Sequence, residues 1–224
     1  MNVKKILGIL LSAILAGIMI SIGGSIFIML SASPDITGRI FGASFFAVGL
    51  FSILIFGLHL FTGKIGYLLL PGESYREKAV MLITTLVGNC VGTFLFGSAL
   101  SHRFVATTAV KTIVEAKLDM SLLTVFLLSI GCGILMFCAV HGYKTADNGA
   151  TRAVIVLFSV AGFILAGFEH SVADMFYVAA AGMISPQSLL FLLVVVCGNA
   201  VGGAGFGALW HISKNALAVR TEEK

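Results

Sequence analysis

Charged side chains make up only 11% of this 224-residue sequence, where an ordinary soluble domain carries about 25%. That deficit excludes a conventional soluble globular domain. Also missing are a Walker-type phosphate loop, a dinucleotide fingerprint and any nucleophile–base motif, so neither an enzyme nor an ATP-driven pump has visible machinery. The four cysteines, Cys90, Cys132, Cys138 and Cys197, lie inside apolar runs. Their spacing suits neither metal ligation nor extracellular pairing, and they read as small core residues. No metal or cofactor is expected. The net charge of +4 comes from basic residues scattered over loops instead of gathered on one face, which excludes a nucleic-acid footprint.

What the sequence has in abundance is apolar surface: 58% of residues are hydrophobic and the mean hydropathy is +1.07. At about 20 apolar residues per crossing of a ~30 Å hydrocarbon core, the chain has room for about six transmembrane helices and little else. The expected fold is therefore an all-α polytopic membrane protein, with a single domain over 1–224. Apolar stretches fall at about 6–30, 40–70, 79–101, 121–143, 153–183 and 188–211. Lys4–Lys5 before the first run imitates a signal peptide, but the run is too long for an h-region and is predicted to stay as the first helix. Connections are short, with Pro34, Pro71 and Pro186 at turns. The longest, His102–Met120, holds an amphipathic stretch with Lys111 and Glu115 four residues apart. Lys4, Lys5, Arg76, Lys78, Lys144, Arg152, Lys214, Arg220 and Lys224 fall on one side, and Arg39, Arg103, Lys111 and Lys117 on the other. The positive-inside rule then puts both termini in the cytoplasm, in a cytoplasmic membrane.

Two of the six stretches are odd. As one helix, 153–183 would be about 46 Å long, against a core of ~30 Å, and it holds Gly167, Glu169, His170, Ser171 and Asp174 in its middle. The stretch 41–70 is interrupted by Gly57, His59, Thr62, Gly63, Lys64 and Gly66. Two half-helices around an irregular loop are expected in each, because such polar groups survive at membrane depth only when buried in protein or facing an aqueous cavity. An internal repeat relates the two. An offset of 110 residues carries Gly57 onto Gly167, Gly88-Asn89-Cys90-Val91-Gly92 onto Gly198-Asn199-Ala200-Val201-Gly202, and Phe96-Gly97 onto Phe206-Gly207. Three crossings repeated must be inverted across the membrane, giving halves at about 1–115 and 116–224. Broken helices in matching places of two halves point to a substrate path near the midplane.

The residues with chemistry gather at those breaks. His170 is an ionisable group at membrane depth, a functional candidate by default; a neutral imidazole there donates one hydrogen bond or passes a proton. Glu169 is expected to accept hydrogen bonds from loop backbone amides. Thr62 offers a hydroxyl, and Leu60 and Phe61 are large enough to close a narrow passage, although ordinary helix packing would explain them too. The repeat sets His59 opposite Glu169 as a loop tether, and Asn89 and Asn199 are expected to brace the broken segments. The spacings Gly88/Gly92 and Gly198/Gly202 suit close helix packing. Lys117 either attracts anions into a vestibule or snorkels at the interface.

Gly167-Phe168-Glu169-His170-Ser171-Val172-Ala173, Gly57-Leu58-His59-Leu60-Phe61-Thr62-Gly63 and the two Gly-Asn pairs resemble the formate/nitrite transporter family of anion channels over nearly the whole chain. The resemblance implies an aquaporin-like fold and a homo-pentamer with one pore per protomer in the lipid bilayer. It implies that Thr62 and His170 flank the central pore. Leu60 and Phe61 would form the cytoplasmic constriction, Phe46, Leu50 and Phe163 the outer one, and Lys117 would be the vestibule lysine. The chain departs from the family pattern at His59, where an acidic residue is usual, at Gly133 and Asp174, where asparagine is usual, and at His141, where tryptophan is usual. These departures resemble the hydrosulfide-channel branch. The expected function is passive passage of small inorganic or organic monovalent anions, hydrosulfide first, then formate, nitrite or chloride. Either hydrogen bonds replace the hydration shell or a proton relayed through His170 neutralises the anion. The alternatives are a formate or nitrite transporter of the main branch, a proton-coupled secondary transporter, an aquaporin-like pore for neutral solutes, and a purely structural membrane protein.

Overall fold

The computed structural model describes residues 1–32, 35–101 and 107–222. The Pro34 turn, Arg103 and Lys224 of the charge count lie outside the described residues. The described chain is helical: α1 Val3–Ser31, α2 Ile36–Ile55, α3 Phe61–Ile65, α4 Tyr75–Ser101, α5 Thr107–Leu118, α6 Leu122–Thr145, α7 Gly149–Leu165, α8 Ser171–Ala181 and α9 Pro186–Glu222. Asn2, Ser121 and Asn148 cap α1, α6 and α7 by accepting the backbone N–H of Lys5, Thr124 and Thr151 at 2.9, 3.1 and 2.8 Å.

Five helices (α1, α2, α4, α6 and, over Pro186–Ala218, α9) are long and apolar enough to cross a membrane, while α7 and α8 are shorter apolar helices. Hydropathy locates the apolar part of a helix but not its ends. The fourth and ninth helices therefore outrun the stretches 79–101 and 188–211, because charged turns at Arg76–Lys78 and Lys214–Arg220 keep helical backbone beyond the apolar region. Outward faces are apolar, as in the stripe Leu7, Leu11 and Leu15 at 53, 54 and 52% exposure. By contrast, every residue of α8 is buried.

Packing runs in two matched sets. The first helix lies along α4 and α2, α6 lies along α9 and α7, α8 is seated against α4, and α2 against α7. Close approach is the reason for the repeated glycines. A Cβ on Gly92 would strike the backbone of Ile14, its carbonyl carbon lying 3.0 Å away, and one on Gly202 would strike Ile130 at 2.9 Å. Helix backbones touch there because no side chain stands between them.

Gly92→Val and Gly202→Val should therefore each destabilise the protein by about 1–3 kcal/mol through overpacking against backbone. Gly205→Ala, whose new methyl group meets nothing within 4 Å, should leave thermal unfolding in detergent unchanged. Equal midpoints for all three variants would contradict the close-approach account.

Candidate functional site

Two helices stop for the same local reason. At the end of α2, Gly57 adopts φ +65°, and at the end of α7, Gly167 adopts φ +71°, a left-handed conformation that glycine takes without Cβ strain. Leu58 N–H then bonds Ile53 O at 2.8 Å and Phe168 N–H bonds Phe163 O at 2.9 Å, the six-to-one closure of a Schellman cap. The chain runs on extended to Leu60 and to His170, which are the N-caps of α3 and α8. The breaks are thus 56–60 and 166–170. Phe61, Thr62, Gly63 and Lys64, and likewise Ser171 and Asp174, lie in the following helices rather than in the loops.

Extended segments leave backbone groups that lipid cannot satisfy. An asparagine amide serves each. Asn89 Nδ2 donates to Ala13 O at 2.8 Å and His59 O at 2.9 Å, while its Oδ1 accepts Phe61 N–H at 2.8 Å. Asn199 Nδ2 donates to Ser129 O and Glu169 O, both at 2.8 Å, and its Oδ1 accepts Ser171 N–H at 2.9 Å. His59 is held further by Ser12: the His59 N–H donates to Ser12 Oγ at 3.1 Å, and Ser12 Oγ lies 3.3 Å from His59 Nδ1. Ser12 was invisible to sequence reasoning, being one hydroxyl in an apolar helix with no motif around it.

The first turns of α3 and α8 meet at a side-chain pair, Thr62 Oγ1 and His170 Nε2, 2.9 Å apart and both buried. His170 Nδ1 accepts the N–H of Ala173 at 3.1 Å. A neutral imidazole has one donor and one acceptor nitrogen, so this bond assigns the proton to Nε2, which donates to Thr62 Oγ1. The Thr62 hydroxyl proton is then free to point elsewhere. Phe163 stacks on the imidazole at 5.4 Å, and Phe46 meets Phe163 edge-on at 6.0 Å.

Two cavities border this region, one at His170 and one at Leu60 and Gly63, which flank Thr62 in the chain. One, of about 360 Å³, is walled by Phe46, Phe163, His170, Lys117, Glu169 and Asp174. The other, of about 90 Å³, is walled by Leu50, Leu60, Gly63, Lys64, Val140 and Lys144. Leu50, expected beside Phe46 and Phe163, thus lies on the wall of the other cavity, together with Leu60. Phe61 lines neither and is buried in the core.

Glu169 differs from expectation. Its carboxylate pairs with Lys117 Nζ instead of collecting backbone amides, and Lys117 Nζ also lies 3.1 Å from Asp174 Oδ1. Burial disfavours the Lys117 ammonium, but Asp174 and Glu169 outweigh it and hold the group above its usual range. Lys117 is therefore a bound cation with two carboxylate partners. The second Asp174 oxygen and Ser171 Oγ are buried without a hydrogen-bond partner. Among the described residues no three His, Cys, Asp or Glu side chains come together as metal ligands.

The family model described as formate/nitrite transporter matches residues 2–213. An uncharacterized transporter of Bacillus subtilis, YrhG, is 30% identical over 187 residues, covering 77% of this chain and 70% of that protein. Formate-nitrite transporter 3 of Toxoplasma gondii is 27% identical over 228 residues, covering 89% of this chain. The chain spans only 46% of that relative's length. A solved structure described as a pentameric formate channel with formate bound has the same fold, with a TM-score of 0.84 at 22% identity over 96% of this chain and 100% of that one.

Removing either amide should unmake its loop. Asn89→Ala and Asn199→Ala each strand two buried backbone groups, a loop carbonyl and the N–H that opens the next helix, and should cost about 2 kcal/mol or more in thermal unfolding. Lys117→Met leaves two carboxylates without their cation and should cost about 3–5 kcal/mol, with Glu169→Gln in the same chain recovering part of it. A Lys117→Met protein as stable as wild type would rule out the ion-paired triad.

Proposed function

The chain belongs to the formate/nitrite transporter family, and on that premise we propose that it is a channel for passive passage of small monovalent anions, hydrosulfide first, with formate, nitrite and chloride less favoured. The family is one of transporters and channels, not enzymes, and the long apolar helices make the chain an integral membrane protein. In the proposed arrangement α2 with α3 and α7 with α8 each make one composite crossing. That gives six crossings in two inverted three-helix halves, about 1–115 and 116–224, within one aquaporin-like channel domain. The matched left-handed caps and asparagine bonds of the two halves support this. Five copies assemble, as in the pentameric formate channel of the same fold. The membrane is the cytoplasmic one, with both termini inside.

The observation that carries the reading is the buried Thr62–His170 pair, with one cavity reaching His170 and another reaching Leu60 and Gly63 beside Thr62. A bare anion in an apolar constriction is very costly, so something must stand in for its water. His170 Nε2–H and the Thr62 hydroxyl are two neutral donors held by the first turns of α3 and α8. The positive end of α8 adds to them. Phe46 and Phe163 narrow one approach, and Leu50 and Leu60 the other. Replacement of hydration is favoured over a proton relay through His170, because a second proton would have to sit on Nδ1, which already accepts Ala173 N–H. Hydrosulfide is placed first because His59, Gly133, Asp174 and His141 stand where the family pattern has other residues.

Flux into proteoliposomes of hydrosulfide, formate, nitrite and chloride, at two pH values with membrane potential clamped, tests the reading. His170→Ala and Thr62→Val should each lower anion flux about tenfold, the loss of one charge-assisted hydrogen bond, while the proteins still assemble. Unchanged flux in His170→Ala would remove it from the path. Formate or nitrite faster than hydrosulfide would return the chain to the main branch, and no anion flux at all would favour a neutral-solute pore.

A further inference from the structure

A channel for anions gathers them with positive potential at its mouths. The cation expected to do so, Lys117, is matched by two carboxylates, and with Arg39 at the rim its cavity has as many cations as carboxylates, namely Arg39, Lys117, Glu169 and Asp174. The opposite cavity is different. Its charged lining residues are Lys64 and Lys144, and it contains no carboxylate. Lys64 stands in the last turn of α3, two residues after Thr62, and Lys144 in the last turn of α6.

Neither lysine forms an ion pair among the described residues, although Glu73, on the far side of Lys64 from this cavity, attracts it. The Lys144 ammonium lies over the Tyr67 ring, 4.3 Å from its centroid. Lys64 makes no side-chain hydrogen bond or ion pair. The carboxylate on its other flank, Glu73, lines separate cavities with it and is paired to Lys5 at 3.6 Å. Both ammonium-bearing side chains line the same cavity of about 90 Å³. Two cations on the wall of one small cavity that holds no carboxylate, beside an apolar constriction, make a seat for a small anion.

We infer that Lys64 and Lys144 form an anion-binding site on the α3 side of the constriction, from which a small monovalent anion is handed to Thr62. The inference rests on the proposed anion-channel function and adds to it where the anion first binds. The side of the protein with the strong anion site is then the Lys64 side, not the Lys117 side.

Formate flux across bilayers holding the protein in one orientation, with formate presented to one face at a time, tests this. Lys64→Gln should raise the half-saturating formate concentration on the α3 face about fivefold and flatten its salt dependence, leaving the other face within about twofold. Lys64→Arg should stay near wild type, since the charge and not the ammonium shape is what the site uses. Lys144→Gln, at an exposed helix end, should shift the same face in the same direction and serves should Lys64→Gln fail to assemble. Half-saturation unchanged in both neutral variants, or shifted equally on both faces, overturns the inference while leaving the channel function standing. Absence of formate and hydrosulfide flux in the wild-type protein overturns both.

Discussion

Backbone polar groups exposed by the two interrupted helices are the constraint on which the rest of this structure turns. Lipid offers them no partner, so the protein must. One asparagine at each break does so with three hydrogen bonds, both N–H donors and the carbonyl acceptor being engaged. Each amide reaches both the loop and the carbonyl of a neighbouring helix, α1 for Asn89 and α6 for Asn199. That reach is possible only where helix backbones nearly touch, which is what Gly88 and Gly92, or Gly198 and Gly202, permit. The glycine spacing and the asparagine are therefore one device, and neither works without the other. Small-residue packing alone accounts for the glycines but leaves the loops unsupported.

Charge is handled by a second device. Glu169 and Asp174 are nearly inaccessible, and a carboxylate so placed is tolerated when a cation and hydrogen bonds accompany it. Lys117 supplies the cation from α5, whose Val110 and Val114 are buried in the core, and so pins α5 and the Ala166–His170 loop together. The ion cluster has a structural task whatever else it does. Asp174 is the unusual member: it adds a second carboxyl group to a lysine that Glu169 already partners.

Much of this was legible in the sequence, and the divide between what was and what was not is physical. The breaks were, because a left-handed cap demands glycine at one position of the chain, and Gly57 and Gly167 announce it locally. Asn89 and Asn199 were, because the same tertiary task in two halves leaves the same residue at the same offset. The partner of Glu169 was not. Lys117 lies 52 residues away, and nothing local distinguishes a carboxylate that will meet backbone amides from one that will meet an ammonium. The bond between Thr62 and His170 spans 108 residues and follows from the fold alone. Helix ends were misplaced at Tyr75 and Glu222 because apolar runs report burial in lipid, whereas the backbone stays helical through charged turns.

His141, at the end of α6, shows how one departure is absorbed. Its ring stacks on Phe137 at 5.1 Å and meets Trp210 of α9 edge-on at 4.2 Å, with the Tyr67 hydroxyl 3.4 Å from Nδ1. The indole from another helix fills the space beside the smaller ring. Tyr67 in turn lies under Lys144, so this aromatic cluster fixes the cation at the mouth of the smaller cavity. The path is thereby divided by function on the proposed reading. Charge stands at the mouth, where it concentrates anions without holding them inside. Between the two apolar constrictions stand only neutral donors, a histidine fixed in one tautomer and a threonine. A permanent positive charge there would bind the anion too well to release it, since conduction requires a site weak enough to leave. The Ala173 N–H that occupies His170 Nδ1 is what keeps that charge away.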